Sequence, residues 1–272
     1  MDILEEVKKH YKYVEERQFD PAFTPFATVL IGSQNYNLAT PSTGVKTRTI
    51  TVPKFKALLH RNIPCFGAFS RKEGPRCDIV NINDVVKCLE AQHIDFVEML
   101  FTKFSYVPEV YRDLWEEITS PERAEKIAHY NTYAVVKNIQ YNVAAEHKSL
   151  FYGDTANEKD ADKYGYSREN LHNLCRLYFF LLSYLSGKKT YPQCLASKEE
   201  HKFLLILKTN PVPLAEATAM AERYHKNCDT LAEQYYQWHQ PEPNREVEQY
   251  LNDWMERVFY RVNNIKESDV KC

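Results

Sequence analysis

The 272-residue chain has no close cysteine pairs, no long apolar run and no surplus of either charge. Its seven cysteines stand far apart, at 65, 77, 88, 175, 194, 228 and 272. None has the short spacing of a structural zinc site, so reduced thiols are expected. Cys65, Cys77, Cys88 and His93 could form a metal site only by ignoring that spacing. No window approaches the length of a membrane span, so no membrane is expected as a partner. The opening residues Met1 to Lys9 mix charges where a signal peptide needs unbroken apolar sequence, and a cytoplasmic location is the expectation. With 35 Lys and Arg against 37 Asp and Glu, the net charge of -2 gives no global attraction to nucleic acid. Local basic strips remain open to it.

What is present is a well-supplied core. Hydrophobic residues make up 44% of the chain, including 19 Tyr and 14 Phe, too many for a disordered segment. Residues 1–20 read as a helix, with Ile3, Val7, Tyr11 and Val14 at helical spacing. Residues 26–31 are a β-branched and aromatic run ending at Gly32, and 47–52 alternate polar and apolar residues up to Pro53, so both read as strands. A helix at 82–91 has Val85, Val86 and Leu89 on one face, and the apolar run 96–101 reads as a third strand. From about residue 107 helical stretches take over: 107–119, 121–149, 167–186, 198–208, 213–237 and 243–263. Ser167 suits an N-cap and Gly187 a left-handed C-terminal position. Residues 152–164 read as a polar loop. The expectation is an α+β fold, with a mixed-sheet domain at 1–106 and a larger helical domain at 107–272.

The most informative stretch runs from Gly32-Ser33 through Asn35, Tyr36, Leu38, Gly44, Lys46 and Arg48 to Ile50. It resembles the signature of phage and bacterial nucleotidyltransferases of the DNA polymerase β superfamily, in which Gly-Ser-x-x-Tyr-Gly-Leu is followed by Ser-Asp-x-Asp and a strand. The resemblance implies a nucleotidyltransferase-like mixed sheet followed by helices. It also implies a site where Gly32 lets backbone approach a triphosphate, Ser33 donates to a phosphate oxygen, and two carboxylates hold two Mg²⁺ ions. Here the aspartate positions fall on Gly44 and Lys46. That exchange moves the local charge by roughly +3, which opposes a divalent ion and leaves a lysine able to attract a phosphate. Residues 164–177 resemble the family's helix with Lys, His and Arg along one face. The corresponding residues are Glu169, Asn173 and Arg176, which share a helical face.

These departures imply a pseudoenzyme that acts by binding a protein or nucleic-acid partner without a cofactor, one concrete version being a phage inhibitor of a bacterial defence or nucleic-acid enzyme. Gly32, Ser33, Lys46, Arg48 and Arg176 are the candidate phosphate-binding residues. In the alternative, an active enzyme would use Mg²⁺ and the non-standard carboxylates Asp78 and Glu98. Glu98 reads equally as a third carboxylate of the site or as a polar residue on the open face of a half-buried strand. Asp78 follows a turn-rich stretch, and Asp84 suits the start of a helix. Arg71, Lys72 and Arg76 form a further basic cluster. The aromatics at Tyr130, Tyr133 and Tyr141, with His129 and His147, read as packed residues of an amphipathic helix, and Tyr235, Tyr236, Trp238 and His239 as a partner surface.

Overall fold

Residues 2–16, 22–41, 43–59, 76–152, 158–195, 198 and 200–266 are described by a computed structural model. The strands are β1 (Phe23–Ile31), β2 (Lys46–Pro53), β3 (Arg76–Asn81) and β4 (Ser105–Tyr106). The helices are α1 (Ile3–Glu16), α2 (Phe55–Leu59), α3 (Ile82–Glu90), α4 (Ile94–Val97), α5 (Arg112–Ile118), α6 (Pro121–Ala128), α7 (Thr132–Ser149), α8 (Glu158–Tyr164), α9 (Arg168–Leu185), α10 (Tyr191–Leu195), α11 (His201–Thr209), α12 (Leu214–Trp238) and α13 (Arg245–Asn263). Tight 3-10 turns lie at Glu98–Phe101 and Glu109–Tyr111. Among the described residues, no helix is long and apolar enough to cross a membrane.

The fold is α+β, and the chain divides into two units. The first comprises Met1–Asn35, Pro41–Tyr130 and Pro243–Cys272; the second comprises Tyr36–Thr40 and Asn131–Glu242. The expected break at 106/107 is not where they divide. A change of periodicity marks a change of element type, and it does not say which core a helix joins.

In the first unit the sheet order is β3-β2-β1-β4, with β2 and β3 parallel and the other pairs antiparallel. Nearly every residue of β1 and β2 is buried, so both faces of the sheet are covered. On one face α1 presents Val7, His10, Tyr11 and Val14, a spacing that makes one apolar stripe. Val7 packs with Leu30 and Val45, and Val14 with Cys77 and Ile79. The polar groups on this face pair with one another: Thr28 Oγ1 with Thr49 Oγ1 at 2.6 Å, and His10 Nδ1 with Thr47 Oγ1 at 2.8 Å. Elsewhere in the core Phe26 meets Trp115 and Trp254 edge-on, at 6.3 and 6.0 Å between centroids. Proline 25 is tolerated in β1 because the register shifts between Pro25 and Ala27.

The run 96–101 is not a strand. It is the end of α4 followed by a 3-10 turn, with Glu98, Met99 and Leu100 buried. A short apolar run carries no usable period, and a buried strand and a buried helical turn look alike in it. Two strands were not expected, the two-residue β4 and β3, where Asp78 is buried because a partner on β2 neutralises it. Residues 121–149 form two helices, broken where the Asn131 side chain caps α7 by accepting from Ala134 N–H.

In the second unit α9 is central and packs on α7, α10, α11 and α12. Ser167 caps it by accepting from Asn170 N–H, and Gly187 beyond its end has φ +64°. Of the stretch expected as a polar loop, 158–164 form α8, and 153–157 lie outside the described residues. Arg168 explains this helix by gripping both Asp160 oxygens, at 2.8 and 2.9 Å, and lying over the Tyr164 ring.

Candidate functional site

Gly32 follows β1 with φ +82°, a left-handed conformation that favours glycine. Its N–H donates to Glu98 Oε1 at 2.9 Å, and its carbonyl accepts from Asn35 N–H at 2.8 Å, which closes the turn carrying Ser33. Asn35 is committed to that turn: its amide donates to Leu30 O, and its side-chain oxygen accepts from Thr102 Oγ1. Glu98 is 2% exposed and sits on a 3-10 turn, not on the open face of a strand. Its carboxylate holds the Gly-Ser turn in place.

Lys46 and Arg48 are two residues apart on β2, so both point to the same side of the sheet. Asp78 is the register partner of Arg48 on β3. Asp78 Oδ2 lies 3.6 Å from Lys46 Nζ and 3.5 Å from Arg48 Nη2. The two cations differ in setting, the Lys46 side chain being 50% exposed and that of Arg48 8%. Arg48 also donates to Asp95 O at 2.7 Å and stacks on the Phe96 ring at 4.1 Å. A carboxylate flanked in this way already has its counter-charges, and a divalent ion at the same oxygen would meet two cations at contact range. These side chains do not fit a pair of Mg²⁺ ions. Among the described residues, no group of three or more His, Cys, Asp or Glu is disposed to hold a metal. Gly44 is exposed in the segment before β2, and Asp84 is an exposed residue in the first turn of α3. Arg76 opens β3, while Arg71 and Lys72 lie outside the described residues, as does Cys65.

No family model, curated protein or solved structure matches this chain. The chain's own chemistry carries the functional reading.

The second unit places the other three candidates on α9. Glu169 is exposed, and Asn173 donates to Glu146 Oε1 at 3.3 Å. The Arg176 guanidinium lies over the buried Tyr36 ring, 4.8 Å from its centroid. Two residues that the sequence did not single out join them. Lys208 Nζ on α11 donates to Leu38 O at 3.1 Å, and His172 is buried beside Asn173, its Nδ1 3.3 Å from Asn173 Oδ1. Burial, then the positive charges of Arg176 and Lys208, push the His172 pKa down to about 3, so the imidazole is neutral at pH 7. Burial also lowers Lys208; Glu169 opposes the shift and Arg176 adds to it. His201 Nε2 lies 2.8 Å from the Asn37 carbonyl oxygen and completes the grip on residues 36–40. No linear signal marks Lys208, whose partner is 170 residues away.

Proposed function

We propose that this chain is a nucleotidyltransferase-like protein that works by binding, with Lys46 and Arg48 supplying at Asp78 the positive charge that metal ions supply in an active relative. The observation that carries this reading is the double pairing of Asp78 Oδ2, at 3.6 and 3.5 Å. Two cations against one carboxylate leave a local charge of +1, and the half-exposed Lys46 offers it to solvent. An anionic group, the phosphate of a nucleotide or of a nucleic-acid partner, is the ligand such a point charge suits. A protein partner with an acidic segment meets the same requirement, and a phage inhibitor seated on a bacterial enzyme is one concrete form. The alternative of catalysis through Asp78 and Glu98 requires a metal to displace both cations from Asp78 and to compete with Gly32 N–H for Glu98.

Two measurements test the proposal. Isothermal titration with ATP or GTP in the presence of EDTA is expected to show metal-independent binding that Lys46→Glu weakens. Incubation with labelled nucleoside triphosphates, Mg²⁺ or Mn²⁺, and RNA or protein acceptors is expected to give no incorporation. Incorporation that disappears in Asp78→Asn, with far-UV circular dichroism unchanged from wild type, would establish the enzyme reading in its place.

A further inference from the structure

The outward face of α7 carries cations and aromatic rings and no acid. From Thr132 to Tyr152 the exposed residues are Lys137, Tyr141, Ala145, Lys148, Ser149, Phe151 and Tyr152. The expectation that Tyr141 packs is corrected here, since it is 73% exposed; Tyr152 is 82% exposed. At 100° per residue, positions 137, 141, 145 and 148 fall within an arc of roughly 80°. Tyr152 follows one turn after Lys148, with its N–H bonded to Ser149 O. The opposite side of α7 is apolar and buried, through Val135, Val136, Ile139 and Val143.

Lysine precedes tyrosine by four residues twice, at 137/141 and 148/152; the first pair stands side by side on the helix, and the second spans its end, Tyr152 lying in the turn that follows Ser149. Lys137 and Lys148, both on the helix, are separated by ~16 Å along its axis, room for several nucleotides between them. The flanking acids are engaged: Glu146 accepts from Asn173, and Asp229 accepts from Gln140 and lies 3.5 Å from His225. Protein interfaces are depleted in lysine, whereas a single nucleic-acid strand uses cations for its phosphates and ring faces for its bases.

We propose that Lys137, Tyr141 and Lys148 of α7, with Tyr152 in the turn after it, dock single-stranded nucleic acid, with phosphates on the lysines and bases stacked on the tyrosines. This site rests on α7 and the turn after it, which belong to the second unit, whereas Asp78 belongs to the first.

The test uses the full chain and fluorescein-labelled oligo-dT and oligo-rU of roughly 12 nucleotides, followed by anisotropy at about 50 and about 200 mM salt. The wild-type chain is expected to bind and to lose affinity with salt. The double variant Tyr141→Ala/Tyr152→Ala should bind at least tenfold more weakly with its salt dependence unchanged. Lys137→Glu/Lys148→Glu should bind at least tenfold more weakly with a shallower salt dependence. All four positions are exposed, so far-UV circular dichroism should match wild type. Binding that neither double variant alters overturns the proposal. So does a response to the lysine pair alone, because a merely basic surface needs no rings. Absence of binding at ~100 μM protein also overturns it.

Discussion

At the residue scale the chemistry turns on how one carboxylate is neutralised. Asp78 is buried, and the Arg48 side chain beside it is 8% exposed, so removing the carboxylate leaves a buried guanidinium without its counter-charge. Asp78→Ala is therefore expected to destabilise the fold by about 3 kcal/mol. Lys46 is half exposed and its ion pair is screened by solvent, so Lys46→Ala should cost under about 1 kcal/mol. Urea denaturation of the two variants checks the contrast, and equal shifts of the midpoint would show that Arg48 does not depend on Asp78. Where a residue's role is local, the sequence showed it: the Ser167 cap and the left-handed Gly187 both follow from near neighbours. Asp78, Glu98 and Lys208 have roles set by partners 30 to 170 residues away, which no local pattern encodes.

At the scale of elements, long amphipathic helices and β-branched strands were legible because burial imposes a period on them. The failures are elements whose conformation is set by one tertiary contact. Residues 98–101 turn where Glu98 meets Gly32, and α8 forms where Arg168 grips Asp160. Helix α13 shows how far such contacts reach. Trp254 is fully buried, meets Phe26 edge-on and donates from Nε1 to Leu114 O at 2.8 Å. Arg257 grips both Glu117 oxygens, and Asn263 donates to Pro53 O while accepting from Phe55 N–H. The sheet unit thus depends on a helix that follows β4 by more than a hundred residues. Trp254→Ala is expected to cost about 3 to 5 kcal/mol, through the cavity and the lost hydrogen bond. Trp238→Ala removes a side chain that is 83% exposed and should change stability by under about 0.5 kcal/mol. Thermal denaturation separates the two, and a Trp254 variant as stable as the Trp238 variant would remove α13 from the core.

At the scale of the whole molecule the α+β class was legible, and the division into units was not, because each unit is assembled from separated pieces of chain. The shortest piece is the most telling. Tyr36–Thr40 follows the Gly32-Ser33 turn directly yet belongs with the helices, where Tyr36 and Leu38 are 3% and 2% exposed. Arg176 lies over Tyr36, Lys208 holds Leu38 O, and His201 holds Asn37 O. Arg176, the cation that the resemblance would assign to a phosphate, is thus spent on the chain's own loop, together with Lys208. Leu38→Ala should therefore weaken the helical unit by about 2 to 5 kcal/mol, the usual range for a buried leucine. Hydrogen exchange read amide by amide locates that loss. Protection is expected to fall along α9 and α11, whose side chains reach the segment, and unchanged protection in both would show that residues 36–40 lie on the helices without supporting them.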